Sequence, residues 1–185
     1  LADGRPVWLS RAPAVISSVI VRTGGKYSYS PHNHYALVAK RGNVGDQQGK
    51  YCLPCGYLDW DESGSEGMAR ETWEETGVDL FGMVQKLPVD GIKLWWDQPW
   101  HVVTDPERDE RQNVCLHYGS YFYWGFRKLP AVTIENCPVK GEVESVEWVQ
   151  LSTLPSPEKW AFNHHHRINQ FYALAEATRA TSSFA

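Results

Sequence analysis

The sequence predicts an α/β fold, and three observations carry that expectation. Residues 14–22 (AVISSVIVR) and 35–41 (YALVAKR) are β-branched, apolar runs parted by the turn-rich TGGKYSYSPHN. From Ser63 the spacing of the apolar residues changes to that of a helix. Strand-like runs then return, and the tail reads as helical again.

Taken in order, the loop RGNVGDQQGK (41–50) leads into a short strand, YCLP, at 51–54. The helix SGSEGMARETWEETG (63–77) opens on Ser63 with Glu66 three residues later. That is a capping box, in which each side chain satisfies the other's backbone N–H. Gly77 is placed as its C-terminal stop. GIKLWW (91–96), VCLHYGSYFYWGF (114–126) and SVEWVQL (145–151) read as strands, with the charged DPERDERQ (105–112) as a hairpin loop or insertion. The tail from about 156 to 180 is expected to be helical, with Asn163 as a candidate cap inside it.

The 185 residues, 42% hydrophobic and 22% charged, fit a single globular domain over 1–185. A net charge of −4 excludes an extended basic surface for nucleic acid. No apolar run approaches the roughly 20 residues that span a bilayer, and LADGRPVWLS carries no signal pattern. Four cysteines in a chain this long do not make a disulfide framework, so the expected setting is cytoplasmic with reduced thiols.

On the helix, Glu71, Glu74 and Glu75 fall in one wedge, since their spacing is i, i+3, i+4. Ala69, Thr72, Trp73 and Thr76 are expected on the core side, and Arg70 within reach of Glu66 and Glu74. Stacked acids repel by a few tenths of a kcal/mol per exposed pair, and no lysine occurs between Lys50 and Lys86 to relieve them. A hard divalent cation would: Mg2+ takes carboxylate oxygens and bridges to phosphates.

The stretch GYLDWDESGSEGMARETWEETGV (56–78) fits G-x5-E-x7-R-E-U-x-E-E-x-G-U, with U a bulky apolar residue. Seven fixed letters at about 7% each match by chance with a probability of roughly 10⁻⁸ per window, which outweighs a plain solvated acidic face. The stretch resembles the signature of the Nudix hydrolases. The one departure is Thr72, where the family prefers an aliphatic residue, and slightly weaker packing is expected there. YALVAKRG, VESVEWVQLSTLP and AFNHHHRI resemble, more loosely, the family's flanking strands and closing helix.

The resemblance implies a Nudix-type α/β/α sandwich with a mixed sheet. It also implies a hydrolase that cleaves the pyrophosphate bond of a nucleoside diphosphate linked to another group, using Mg2+ or Mn2+. By resemblance Glu71, Glu74, Glu75 and the Gly56 carbonyl are metal ligands, and Glu62 with Arg70 ties loop to helix and orients the acids. The general base is Glu142, from the loop before SVEWVQL, or else Glu74 or Glu75. DPERDERQNV loosely resembles a segment of ADP-ribose-type pyrophosphatases, so Arg108 and Arg111 are candidates for substrate phosphates. Among the nine tryptophans, Trp95, with Trp96, Trp100 and Tyr27, is a candidate to stack on a base.

The expected substrate is an ADP-ribose-like compound or nucleotide sugar, followed by dinucleoside polyphosphates and modified nucleoside triphosphates. The rival from another class is a non-catalytic nucleotide-binding Nudix module that regulates a partner. Family members are often dimers, so a homodimer is compatible. His164, His165 and His166 point in different directions on a helix and are expected to cap, pack or face solvent. In CLPCG, Cys55 stands where the family usually writes glycine, beside the chemistry and outside any zinc or dithiol centre.

Overall fold

The computed structural model describes residues 13–25, 30–104 and 114–182. Among these, eight strands form one mixed sheet. Strand β1 (Pro13–Thr23) is its axis and pairs in parallel with β7 (Val114–Gly125) along its whole length. The other edge of β1 is shared between two partners. Residues 20–22 pair antiparallel with β2 (His34–Arg41), and residues 14–16 with β4 (Cys55–Tyr57). β2 leaves β1 after Ala36, and the short β3 (Tyr51–Cys52) pairs with its far end. A cleft opens where those partners part.

The outer strands complete the sheet. β8 (Val143–Gln150) pairs antiparallel with β2, while β5 (Ile92–Trp95) and β6 (His101–Thr104) lie in succession along β7. Alternation along β1 feeds two layers. Val15, Val19 and Val21 pack with Met68 of α1 (Gly64–Thr76) and with Leu80 and Met83 of α2 (Leu80–Gln85). Ala14, Ile16 and Ile20 pack with Ile168, Phe171 and Ala175 of α3 (His164–Ser182). Helices therefore cover both faces of a mixed α/β sheet. Gly119 lets α3 approach, since a Cβ there would stand 2.1 Å from the Phe171 ring.

The α1 capping box is present as the spacing predicts, with Ser63 accepting from the Glu66 N–H and Gly77 closing the helix at φ 72°. Two expectations fail. Trp73 is 48% exposed, because the buried stripe runs through Met68, Thr72 and Thr76. At 100° per residue Trp73 stands 100° from Thr72, whereas Glu75 stands only 60° from it on the other flank. The second failure is the tail. Residues 157–159 form a 3-10 turn, after which Trp160 bridges to Tyr51 and Phe162 takes a left-handed φ of 54°, neither of which a helix allows, so the helix starts at His164.

Three elements went unread in the sequence: α2, capped by Asp79 accepting from the Gly82 N–H, and the short strands β4 and β6. No described helix is long and apolar enough to cross a membrane.

Candidate functional site

The site is built where β4 meets α1. The turn Leu53–Gly56 is fastened to its neighbours by backbone bonds. Ser17 N–H donates to the Pro54 carbonyl at 2.9 Å, and Cys55 N–H donates to Glu75 Oε2 at 3.2 Å. The Glu71 carboxylate lies directly against Gly56. A Cβ at position 56 would stand 2.0 Å from its Oε1 and 2.5 Å from its Oε2. Glycine is therefore what lets the carboxylate reach this backbone.

Arg70 organises the helix acids. Its guanidinium grips Glu62 through two bonds, Nη2 to Oε1 at 2.6 Å and Nε to Oε2 at 3.0 Å. It also donates to the Tyr57 carbonyl (2.9 Å), to Glu71 Oε1 (2.8 Å) and to Glu74 Oε2 (3.2 Å). The Arg70 hydrogen bond, aided by the Asp59 N–H, holds the Glu62 carboxyl below the usual range. Glu66, expected near Arg70, is instead taken up by its capping bonds to Ser63. A planar fork matched to a carboxylate makes this a rigid tie between the 57–62 loop and α1.

The inner acids are poised against their own charge. Burial pushes the Glu71 carboxyl up to about 7, Arg70 opposes the shift, and Glu74 and Glu142 add to it. Glu75 is 5% exposed, and burial raises it well above the ordinary value, with Glu71 and Glu142 contributing. Carboxyls raised by burial and by one another form a pocket that gains from bound positive charge.

These groups line one side of a cavity of about 720 Å³. Glu142 lines it too, on the loop before β8, with Cys137 Sγ 4.0 Å from its Oε2. Glu144 turns away and pairs with Lys40 at 2.7 Å. Among the cavity residues that escaped the sequence reading are Arg41, Asp46, Cys137 and Phe162. Arg41 is bonded to Asp46 at 2.9 Å, and its guanidinium stands 5.5 Å from the Phe162 ring centre. The end of a strand followed by a glycine-rich loop was the available signal for Arg41, and nothing local marks the other three.

The remaining expected residues lie elsewhere. Trp95 packs edge to face on Phe171, with ring centres 5.1 Å apart, and does not line the cavity. Trp100 packs on the same ring, and Trp96 lies against Phe81 with its indole N–H donating to Ser120. Arg108, Arg111 and Tyr27 lie outside the described residues. None of the four cysteines is joined in a disulfide; Cys52 is buried and Cys55 lines the cavity.

Carboxylates and one backbone carbonyl are the donor set a hard cation takes, and the missing Cβ at Gly56 is what brings the Glu71 carboxylate against that backbone. Among the described residues no three His, Cys, Asp or Glu side chains already converge at ligand spacing. Arg70 holds the Glu71 and Glu74 carboxylates instead, so a cation would draw both acids away from that guanidinium. The donor chemistry fits Mg2+ or Mn2+, with a rearrangement of those two side chains.

Comparisons with known proteins give the family and the fold. A family model described as NUDIX domain matches residues 14–171. No curated protein gives a match. Among solved structures, the chain is similar to the NUDIX domain of Shewanella oneidensis NrtR complexed with ADP ribose. That match has a TM-score of 0.60 at 22% identity and covers 88% of this chain and 87% of that one. A MutT/nudix family protein from Enterococcus faecalis is similar at TM-score 0.63 and 17% identity, over 94% of this chain and 65% of that one. A bifunctional NMN adenylyltransferase/ADP ribose pyrophosphatase from Francisella tularensis, complexed with AMP and Mn ion, is similar at TM-score 0.60 and 18% identity. It covers 90% of this chain and 42% of that one. At such identities the likeness is one of fold, and the last two proteins extend well beyond the part this chain matches.

Proposed function

The chain belongs to the Nudix hydrolase family, and from that premise we propose that it cleaves the pyrophosphate bond of a nucleoside diphosphate joined to another group. An ADP-ribose-like compound or nucleotide sugar is the favoured substrate class. The observation that carries this reading is that Glu71, the buried Glu75 and Gly56 line one cavity together with Glu142. Substrate class rests on likeness to proteins solved with ADP ribose or carrying ADP ribose pyrophosphatase in their description.

In this reading Glu71, Glu74, Glu75 and the Gly56 carbonyl hold Mg2+ or Mn2+. When bound, such ions neutralise phosphate oxygens and make water more acidic. Glu142, which lines the same cavity, takes the proton of the attacking water at its carboxylate. Arg70 and Glu62 keep the 57–62 loop and the helix acids in register. A reducing, cytoplasmic setting is part of this reading, since four cysteines in 185 residues make no disulfide framework.

A second reading, a non-catalytic regulatory module, has an observation of its own: likeness to a NUDIX domain solved with ADP ribose supports a module that binds such a ligand. A product-resolved screen of nucleotide derivatives with Mg2+ and Mn2+, with a chelator control, separates the two. Hydrolysis supports the enzyme. Saturable ADP-ribose binding without products supports the module.

A further inference from the structure

The triplet His164–His166 is a sequence feature that the proposed chemistry leaves unused, and its three side chains part company. His165 lies beside Trp160, with ring centres 5.7 Å apart, and His166 is exposed. His164 is 2% exposed, and its Nδ1 accepts the Leu53 N–H at 3.1 Å. Accepting at Nδ1 fixes a neutral ring with its proton on Nε2.

Leu53 is fully buried and opens the turn that ends at Gly56. Pro54 has no N–H to offer. The turn is thus fastened from three elements: by His164 of α3 at Leu53, by Ser17 of β1 at Pro54, and by Glu75 of α1 at Cys55. The segment that presents His164 is itself braced against β3, since Ala161 N–H donates to the Tyr51 carbonyl at 2.8 Å. Between them Phe162 adopts φ 54°, a left-handed conformation that a side chain rarely takes. Its ring stands 5.3 Å from that of His164 and lines the cavity.

We propose that His164 is a positioning residue for the metal-binding turn. By accepting the Leu53 N–H it fixes where the Gly56 backbone stands relative to Glu71 and Glu75. The fit leaves little slack, because the Glu71 carboxylate already occupies the place of a Cβ on Gly56. Without an acceptor at 164 the buried Leu53 N–H loses its partner, and the turn shifts to recover one. This inference rests on the reading of Gly56, Glu71 and Glu75 as cation ligands.

The test compares H164N, whose Oδ1 reaches about where Nδ1 does, with H164L, which keeps bulk and removes the acceptor. Amide exchange across residues 52–56 and the Mn2+ dependence of ADP-ribose hydrolysis are read on the full chain. In H164L, exchange quickens at Leu53 and its neighbours, and the Mn2+ concentration for half activation rises by about tenfold or more. H164N stays near wild type in both. Unchanged exchange in H164L overturns the proposal, as does an H164N as impaired as H164L. Imidazole ¹⁵N shifts of the wild type need no variant to fold, and a proton on Nδ1 overturns it as well. If the wild type hydrolyses nothing, the enzymatic reading has failed, and the exchange and tautomer results alone decide whether His164 holds the turn.

Discussion

Glu75 Oε2 accepts the backbone N–H of Cys55 at 3.2 Å, and this bond joins the acidic helix to the turn that carries Gly56. The contact gives the C-x-x-C spacing its meaning. Cys55 contributes its amide to a buried carboxylate, while Cys52 is packed in the core with its thiol pushed well above the ordinary value by burial. A carboxylate as buried as Glu75 destabilises the folded chain when it is charged and unpaired.

Replacing Glu75 by glutamine removes that charge and keeps an acceptor for the Cys55 N–H. The thermal midpoint of metal-free E75Q is expected to equal or exceed that of wild type. Turnover is expected to fall by at least about 100-fold, beyond the usual loss for a supporting residue. Scanning calorimetry beside a rate assay checks both; a near-wild-type rate removes Glu75 from the ligand set.

Gly56→Ala tests the approach of Glu71. The added Cβ meets only the end of a flexible side chain, so the variant folds with Glu71 displaced. Activity is expected to drop by about 10- to 100-fold with the thermal midpoint nearly unchanged. Wild-type activity in G56A contradicts the need for close approach.

Thr72, the departure from the family signature, lies 2.8 Å from Ser17 Oγ and 2.7 Å from the Met68 carbonyl, all of it buried. The expectation of weaker packing gives way to a polar pair inside the core: the odd residue on α1 is answered by Ser17 on β1. Thr72→Val should cost about 1–3 kcal/mol by stranding the Ser17 hydroxyl. The double variant T72V/S17A should recover most of that, as chemical denaturation would record. Additive losses contradict the pairing.

The pH dependence follows from Glu71, whose carboxyl is raised from 4.5 to about 7. A raised folded-state value means that the protonated form is favoured by folding. The stabilisation is fully present below 4.5 and is lost as pH rises through about 7. Glu75 shifts in the same direction. Glu62 and Glu66 are held low, so their contributions are lost only as pH falls below 4.5. The metal-free thermal midpoint should therefore decline as pH rises across that window, and E71Q should flatten the decline. An equal slope in E71Q argues against the assignment.

Much of this was legible in the sequence because the box is local. Ser63, Glu66 and Gly77 declare the ends of α1 through capping chemistry, and the spacing of Glu71, Glu74 and Glu75 sets their common face. Trp73 was misplaced because the periodicity gives a face but not its width, and the face α1 buries, Gly67, Met68, Ala69, Thr72, Glu75 and Thr76, stops short of it. Trp95 suggested a stacking surface by composition, yet its position on β5 turns it onto Phe171. Arg41, Cys137 and Phe162 come from segments far apart in the chain and meet at one cavity only in the folded protein. The bond from His164 to Leu53 spans 111 residues and leaves no local trace.

The most direct measurement strips the protein with a chelator, returns Mn2+ stepwise, and follows ADP-ribose and its products. The expected result is no turnover in chelator and saturable formation of AMP and ribose 5-phosphate as Mn2+ is added, abolished in E75Q. Tight ADP-ribose binding with no product at any Mn2+ concentration would contradict a hydrolytic site and leave a ligand-binding module in its place.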